Sequence, residues 1–298
     1  MPNNESSLCN KIKIGRFAPS PTGALHFGSL IAAVASYLCA RQHLDSQWLL
    51  RIEDVDTQRE QKGAAKSIIE TLETYGFHWD GEITYQSQRT EYYQQYLELL
   101  GDNIYPCSCT RKDLVALSTE LKNGIKNPSV KNPSIRLKTT NDKICFQDQC
   151  QPNSFCEQLE DDIGDFIVKR RDGLFAYQLA VVVDDHLQGI NHVVRGADLF
   201  DNTPRQIYLQ QLLGFSTPEY LHFPVATSSN GKKLSKQNLS PEVSKYKKRD
   251  TLVMALRFLG QKIPEANEFT NIEDLWTFAQ QSWDSSNIPR KMNIEITP

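Results

Sequence analysis

The stretch Arg16-Phe-Ala-Pro-Ser-Pro-Thr-Gly-Ala-Leu-His-Phe-Gly-Ser-Leu30 decides the fold of this chain. It completes a short alternating run, residues 11–17, that is typical of a β-strand. Two prolines and a glycine then interrupt the pattern and favour a tight turn. From Leu25 onward the residues become small and apolar, which predicts a buried helix. A strand, a glycine–proline turn and a helix in this order point backbone N–H groups at a phosphate, so the stretch indicates a nucleotide site.

Three residues at the start of the predicted helix suit a bound nucleotide. The imidazole of His26 can donate to phosphate oxygens, and Gly28, followed by Ser29, lets a nucleotide approach the backbone closely. An alternative stays open at this point, because an ordinary strand–loop–helix could carry the same histidine without using it.

A second basic stretch lies far along the chain, in a polar loop. It reads Lys-Lys-Leu-Ser-Lys-Gln-Asn over residues 232–238. Lysine is a flexible point charge that can follow a moving phosphate, so these lysines fit a reaction at phosphorus. Taken alone, the stretch could equally be a solvated basic loop.

The composition indicates an ordinary globular protein. The chain has 298 residues, 39% of them hydrophobic and 23% charged, which is enough for roughly two domains. Its net charge of −3 gives no global basic field, so a nucleic-acid partner would need a local basic face. Seven cysteines without regular spacing are not a disulfide framework, so we expect reduced thiols. A polar N-terminus and the lack of a long apolar run predict a cytoplasmic protein.

Acidic residues follow a predicted buried strand, Trp48–Ile52. In open α/β sheets, ligands bind just outside the carboxyl ends of the strands. We therefore assign Glu53 to a substrate ammonium and give Asp56 a structural role. The alternative is that Asp54 and Asp56 only cap and charge the next helix, which we predict to start near Thr57.

Strand and helix patterns alternate in the first hundred residues, which predicts an α/β fold with a doubly wound parallel sheet. The alternation fails in the next segment, where short β-like runs flank a polar loop, and resumes afterwards. Two helical patterns close the chain. The predicted organisation is a Rossmann catalytic domain in two halves (1–100 and 166–238), an inserted α+β domain (101–165) and a short helical C-terminal region (239–298).

One helix start in the second half carries a strong local signal. Thr203 followed by Pro204 predicts a helix that has the threonine as its cap and the proline in its first turn. We expect this helix to run to Leu213 and to end at Gly214.

Two arginines at predicted strand ends indicate an acidic substrate. Arg16 ends the first strand, and Arg195 ends a later strand that begins at His192. A guanidinium offers a planar fork that matches a carboxylate, so the two could read the side chain of an acidic amino acid. The alternative is that either arginine pairs with an internal acid such as Asp198.

The chain contains a series of short sequence motifs in a fixed order. They are Arg16–Gly23, His26–Ser29, Arg51–Asp54, Asp172–Tyr177, Ala180–Asp185, Arg195–Asp198, Asn202–Gln206 and Lys233–Lys236. The second and last resemble the two ATP signatures of class I aminoacyl-tRNA synthetases. Together these motifs resemble the catalytic half of glutamyl-tRNA synthetases over most of residues 11–240. By the same resemblance, the inserted segment corresponds to an acceptor-binding domain.

The resemblance implies a role for each site residue. Around bound L-glutamate it places Arg16, Ala18, Ser20, Glu53, Tyr177 and Arg195, with Glu53 on the ammonium. Around ATP and its Mg²⁺ it places His26, Gly28, Ser29, Lys233, Ser235 and Lys236. Of these, His26, Lys233 and Lys236 would act on the phosphates during catalysis.

The chain departs from a full glutamyl enzyme after its second ATP signature. Only 60 residues follow Asn238, too few for an anticodon-binding region. The words His-Phe-Gly-Ser and Lys-Leu-Ser-Lys-Gln-Asn resemble the shorter glutamyl-Q tRNA(Asp) synthetases. These activate glutamate without tRNA and transfer it to the queuosine base in the anticodon of tRNA(Asp), and we predict that reaction here. A truncated glutamyl-tRNA synthetase that charges the terminal ribose, and a silent paralogue that binds tRNA or glutamate, remain as alternatives.

The cysteines near the insertion also differ from the shorter group. There a Cys-x-Cys begins a zinc site that a tyrosine and a further cysteine continue. Here Cys107 and Cys109 are present, but residues 110–134 contain neither tyrosine nor cysteine. Two thiolates do not close a tetrahedral site, so we predict that zinc is absent and that the protein provides no metal ligands.

Overall fold

The computed structural model describes residues 12–42, 45–109, 132–152, 154–227 and 242–296. The helices are Phe27–Ala40 (α1), Ala64–Thr74 (α2), Thr90–Leu99 (α3), Leu159–Asp162 (α4), Tyr177–Leu187 (α5), Thr203–Leu212 (α6), Lys248–Phe258 (α7) and Ile272–Ser282 (α8). The strands are Ile14–Phe17 (β1), Gln47–Ile52 (β2), Thr84–Tyr85 (β3), Ile104–Cys107 (β4), Ser134–Leu137 (β5), Lys143–Gln147 (β6), Ser154–Gln158 (β7), Phe166–Lys169 (β8), His192–Gly196 (β9), Glu219–Phe223 (β10), Val225–Thr227 (β11) and Asn293–Glu295 (β12). Within these ranges, no helix is both long and apolar enough to span a membrane.

Parallel strands form the centre of the molecule, which confirms the predicted α/β class. β2 pairs with β1 and β3, and β9 pairs with β10, all in parallel. β9 lies beside β1. The N–H of Asn191, directly before β9, donates to the carbonyl of Ile14 in β1 at 3.1 Å. The carboxyl ends of β1, β2 and β9 therefore meet at one edge of the sheet.

The turn after β1 has the shape that its prolines and glycine predict. The N–H of Thr22 donates to the Ser20 carbonyl at 2.8 Å. Gly23 has φ +141°, a backbone conformation that side-chain-bearing residues rarely adopt. Helix α1 then begins at Phe27, and its apolar residues from Leu30 onward are buried, as the composition of this stretch predicts.

One predicted helix start and one predicted cap residue are wrong. α2 begins at Ala64 rather than near Thr57, since Gly63 at φ +81° ends a series of turns just before it. α6 begins where predicted, but its cap residue is Asn202, and Thr203 is already inside the helix. The hydroxyl of Thr203 serves the site described below instead of the helix end.

The segment between the two halves of the sheet is antiparallel. β4, β5 and β8 form one sheet, and β6 and β7 form a separate hairpin. Cys145 lies opposite Cys156 in that hairpin, with Cα atoms 4.1 Å apart, and the two form a disulfide. Our expectation of reduced thiols is therefore wrong for this pair. The spacing of the two cysteines in the sequence does not indicate a disulfide, but the pairing of β6 with β7 brings them side by side. The domain boundaries remain a prediction.

The C-terminal helices complete the main core. The ring of Trp276 in α8 packs edge-on against Tyr37 and Phe77, at centroid distances of 5.1 and 4.9 Å. Its indole N–H donates to the Tyr75 carbonyl at 2.8 Å. β12 pairs in parallel with β11, so the end of the described chain returns to the region of the sheet. The C-terminal residues therefore share a core with the first half of the sheet.

Candidate active site

A cleft of about 380 Å³ opens where β1, β2 and β9 end. Nine of the predicted site residues line it: Arg16, Ala18, Ser20, His26, Gly28, Ser29, Glu53, Tyr177 and Arg195. The other three, Lys233, Ser235 and Lys236, lie outside the described residues. The structure thus brings the predicted glutamate and ATP residues together in one cavity.

The N-terminus of α1 lines one end of the cleft, where we predicted the nucleotide to bind. His26 is the cap residue of this helix, and its Nδ1 accepts a hydrogen bond from the Ser29 N–H at 3.3 Å. Because Nδ1 accepts, the ring proton of a neutral His26 is on Nε2, which lies 3.0 Å from the Ser29 hydroxyl. A donor nitrogen beside the N–H groups of a first helical turn is suited to phosphate oxygens.

The chain enters and leaves its lysine-rich stretch close to this cleft. Val225 and Ala226, shortly before the stretch, line the cavity. Glu242, just after it, forms a β-bridge with His26, and the N–H of Val243 donates to the Leu25 carbonyl at 3.0 Å. Both described flanks of the lysine stretch therefore lie near the cleft and the start of α1.

Glu53 follows β2 and is held by its backbone, whose N–H donates to the Pro19 carbonyl at 3.0 Å. Burial raises the pKa of Glu53 to about 7, although Arg51 and Arg16 act in the opposite direction. The carboxyl group therefore holds its proton more tightly than an exposed glutamate does. A cation bound next to it would hold it ionised, which suits a substrate ammonium.

Arg16 lies in the cleft wall but is already paired inside the protein. Its Nε lies 3.1 Å from Asp185 Oδ1, and its Nη2 lies 3.4 Å from Asp185 Oδ2. The alternative of an internal acid partner therefore holds for Arg16, with Asp185 as the acid. A guanidinium has five N–H groups, so this pair leaves others available to the cleft.

A buried charge network behind Arg16 was missed by the sequence reasoning. Arg51 Nη2 donates to Asp185 Oδ1 at 2.8 Å, and Asp184 accepts from Arg89 Nε at 2.6 Å. Burial raises the pKa of Asp185, but Arg16 and Arg51 outweigh it and keep that pKa below its usual range. The available signal was the placement of charges inside apolar runs, since Arg51 interrupts β2 and both acids follow a run of valines.

Arg195 is held differently, by neutral side chains. Its Nε donates to His222 Nε2 at 3.0 Å, its Nη1 to Gln206 Oε1 at 2.8 Å, and its Nη2 to Thr203 Oγ1 at 2.9 Å. These groups orient the guanidinium without neutralising it. His222 carried no functional signal in the sequence, because nothing local marks it as a partner of an arginine.

The acids after Glu53 have structural contacts. Asp54 accepts hydrogen bonds from the N–H and the hydroxyl of Ser87, at 2.8 and 2.7 Å. Asp56 accepts from Arg170 Nη1 at 2.7 Å. Neither acid caps α2, which begins further along the chain, so the helix-capping role assigned to Asp56 is wrong and its structural contact is the pair with Arg170.

A second cavity of about 800 Å³ adjoins the cleft. The two cavities share Ser20, Glu53 and Tyr177 in their walls. The second is lined on its other sides by Arg59 and the arginines at 170–171, among other residues. Its lining also includes Glu53 and Asp56, and Asp56 pairs with Arg170 at 2.7 Å, so the wall of this cavity carries both signs of charge.

The cysteines of the expected zinc motif lie at the insertion. Cys107 is buried, and Cys109 lines the second cavity. Among the residues that the structure describes, no three His, Cys, Asp or Glu side chains are grouped to hold a metal ion. Residues 110–131 lie outside that part of the chain, and the absence of zinc remains a prediction.

The chain matches the family described as "tRNA synthetases class I (E and Q), catalytic domain" over residues 12–133 and 110–295. A glutamyl-Q tRNA(Asp) synthetase of Dechloromonas aromatica is 47% identical over 293 residues, 94% of this chain and 97% of that protein. One from Neisseria gonorrhoeae is 45% identical over 290 residues, 93% and 97% of the two chains. The crystal structure of a glutamate-tRNA synthetase from Elizabethkingia anophelis has the same fold, with a TM-score of 0.77 at 23% identity, covering 96% of this chain and 68% of that one. This chain belongs to the class I tRNA synthetases of the E and Q type, and within them to the glutamyl-Q tRNA(Asp) synthetase family.

Proposed function

We propose that this protein activates L-glutamate with ATP, without tRNA, and transfers the glutamate to the queuosine base in the anticodon of tRNA(Asp). Relatives that are 44–47% identical over about 94% of the chain are glutamyl-Q tRNA(Asp) synthetases. The observation that carries the proposal is one cleft in which a helix N-terminus suited to phosphates faces a buried acid and two arginines.

The first step is attack of the glutamate α-carboxylate on the α-phosphorus of ATP. A bond forms between a carboxylate oxygen and that phosphorus, the bond to the bridging oxygen breaks, and pyrophosphate leaves. Negative charge grows on the phosphates, so donors already aimed at them lower the barrier. His26 Nε2–H and the first turn of α1 supply such donors, and Lys233 and Lys236 would add mobile positive charge.

The other end of the cleft would select the amino acid. Glu53 would hold the ammonium, and Arg16 and Arg195 would face the side-chain carboxylate, with Tyr177 completing the pocket. Arginine forks match carboxylates, whereas the amide of glutamine would place a donor opposite a guanidinium. The pocket would therefore prefer glutamate.

The second cavity would receive the acceptor nucleotide. A nucleophile of the base would attack the activated carbonyl, and AMP would leave. Because both cavities share Glu53 and Tyr177 in their walls, the activated carbonyl would lie between them. Arg59 and Arg171, which line the second cavity, suit a polyanion, although the net charge of the whole chain is −3.

Mg²⁺ would enter with ATP rather than occupy a protein cage. The described residues contain no group of three His, Cys, Asp or Glu side chains that could hold it. Mg²⁺ is often held mainly by substrate phosphates and water, so the site is compatible with a nucleotide-borne ion. We also propose a cytoplasmic location, where both ATP and tRNA are present.

Two assays test the proposal. Glutamate-dependent exchange between ATP and pyrophosphate should proceed without tRNA, and its complete absence would favour a silent paralogue. For the acceptor, an anticodon stem-loop with queuosine should accept glutamate within roughly tenfold of whole tRNA(Asp), because base-directed chemistry needs an unstacked nucleotide. Removal of the terminal CCA should leave transfer intact. Glutamate on the CCA end of an unmodified tRNA would instead identify a truncated glutamyl-tRNA synthetase.

A further inference from the structure

A buried chain of hydrogen bonds runs from Arg195 away from the cleft. Arg195 Nε donates to His222 Nε2 at 3.0 Å, and His222 Nδ1 lies 2.6 Å from Asp148 Oδ2. The side chains of His222 and Asp148 are fully buried. Asp148 comes from the loop after β6, so the inserted segment reaches the catalytic half of the molecule here.

The hydrogen-bond partners of the His222 ring determine which of its nitrogens carries the proton. Arginine keeps its proton, so Arg195 Nε–H is a donor and His222 Nε2 must accept. The ring proton is therefore on Nδ1 and is donated to Asp148. Burial and the nearby Arg195 charge lower the pKa of His222, although Asp148 raises it, which agrees with a neutral ring.

The Asp148 carboxylate is itself fixed on its other side. Oδ1 accepts the backbone N–H groups of Cys150, Gln151 and His222, at 2.9, 3.0 and 3.2 Å. Only Oδ2 faces the imidazole. The carboxylate cannot turn without losing three hydrogen bonds, so it holds the Nδ1 proton of His222 in place.

We propose that Asp148 and His222 are positioning residues that hold the Arg195 guanidinium in the orientation that reads the substrate side-chain carboxylate. This inference rests on the function proposed above and on the role of Arg195 in it. A carboxylate bound directly to Arg195 would offset its charge, as Asp185 does in part for Arg16. A neutral imidazole between acid and arginine orients the fork and leaves its charge for the substrate.

The substitution Asp148→Asn tests this with little change in shape. The amide oxygen can keep the three backbone hydrogen bonds at the Oδ1 position. The amide nitrogen then takes the Oδ2 position and donates to His222 Nδ1, which moves the ring proton to Nε2. Two donors would face each other at Arg195 Nε, and the guanidinium would have to turn away.

The expected result is a selective loss in glutamate recognition. For Asp148→Asn, the KM for glutamate in ATP–pyrophosphate exchange should rise roughly tenfold to a hundredfold, since small displacements at a reacting site cost this much. The KM for ATP should change less than about twofold, and discrimination against glutamine should fall. ¹⁵N NMR should find the His222 proton on Nδ1 in the wild type and on Nε2 in the variant. Asp142→Asn, at an exposed position just before the same hairpin, is the matched control and should match the wild type.

A second variant separates orientation from simple support. The side-chain oxygen of His222→Gln can accept from Arg195 Nε without help from Asp148. In that background Asp148→Asn should add less than about twofold to the glutamate KM, a non-additivity expected of residues in one network.

Several results would overturn the inference: an unchanged glutamate KM in Asp148→Asn, equal rises in both KM values with a lower melting temperature, or a wild-type proton on Nε2. Glutamate affinity by calorimetry gives the same comparison without catalysis. If the wild type binds glutamate but shows no exchange, only the proposed function fails, and the affinity ratio still decides the role of Asp148. If the wild type does not bind glutamate, the inference falls together with the proposed function.

Discussion

Arg16 and Asp185 form a buried ion pair, with Nε and Oδ1 3.1 Å apart, in the wall of the candidate glutamate pocket. Arg195, at the same cleft, is held by neutral groups instead. The two arginines that look equivalent in the sequence are therefore electrostatically different. Arg195 offers more uncompensated charge to a substrate, and Arg16 connects the pocket to the buried network around Arg51 and Asp185.

We expect substitution of the two arginines to separate binding from stability. Arg195→Gln should lower kcat/KM for glutamate activation. The loss of transition-state stabilisation should be about 2–5 kcal/mol, because a buried, hydrogen-bonded charge pair with the substrate is lost. The same variant should lower the ratio of kcat/KM for glutamate to kcat/KM for glutamine. Arg16→Ala should also impair glutamate activation and in addition lower the melting temperature, since Asp185 loses a partner. ATP–pyrophosphate exchange and thermal unfolding measure the two effects.

Arg290→Gln, at an exposed position, is the control for these arginine variants and should behave as the wild type in both assays. Equal activation of glutamate by Arg16→Ala would remove Arg16 from the pocket. Activation of glutamine by the wild type at a rate comparable with glutamate would contradict the role of both arginines.

The raised pKa of Glu53, about 7, predicts a pH dependence of glutamate binding. Below this pKa the carboxyl group is mostly protonated and attracts an ammonium only weakly. The KM for glutamate should therefore rise as the pH falls from 8 to 6, and exchange assays across this range measure it. A flat KM over the same range would show that Glu53 does not hold the ammonium.

The same group should cost stability at neutral pH. A folded pKa of about 7, above the usual 4.5, means that the folded protein binds this proton more tightly than the unfolded chain. The stabilisation is complete below pH 4.5 and is lost as the pH rises through 7. Glu53→Gln should therefore raise the free energy of unfolding by about 3 kcal/mol at pH 8. Denaturant unfolding measures this, with exposed Glu273→Gln as the control; equal effects of the two variants would reject the explanation.

The Cys145–Cys156 disulfide predicts a definite thiol count. The chain has seven cysteines, and two of them are paired, so five should react with a thiol reagent after denaturation without reductant. All seven should react after reduction. Removal of the pair by Cys145→Ser with Cys156→Ser should lower stability by about 2–3 kcal/mol, as a short closed loop predicts. Seven reactive thiols without reductant would mean that the pair is reduced in solution.

Purified protein should contain much less than one zinc ion per chain and should keep its fold in a chelator. The reason is that two cysteines alone leave a tetrahedral site incomplete. Elemental analysis and circular dichroism with and without chelator test this. Stoichiometric zinc that disappears in Cys107→Ser, but not in the exposed-site control Asp142→Asn, would show that other ligands complete the site.

The sequence by itself determined the strand, turn and helix of residues 14–40, because periodicity and proline–glycine chemistry act over a few neighbouring residues. It also placed Glu53 correctly at the cleft, since a carboxylate after a buried parallel strand lies at the ligand edge of the sheet. Local signals failed at α2, where residues 57–63 have a helical pattern but five of the seven lie in turns.

Only the tertiary structure decided which charges pair. Arg16 meets Asp185 across 169 residues, and His222 meets Asp148 across 74. The two cysteines of the disulfide meet because β6 and β7 pair in one register. Such partners are selected by chain topology and by the need to satisfy buried polar groups, neither of which leaves a periodic trace in the sequence.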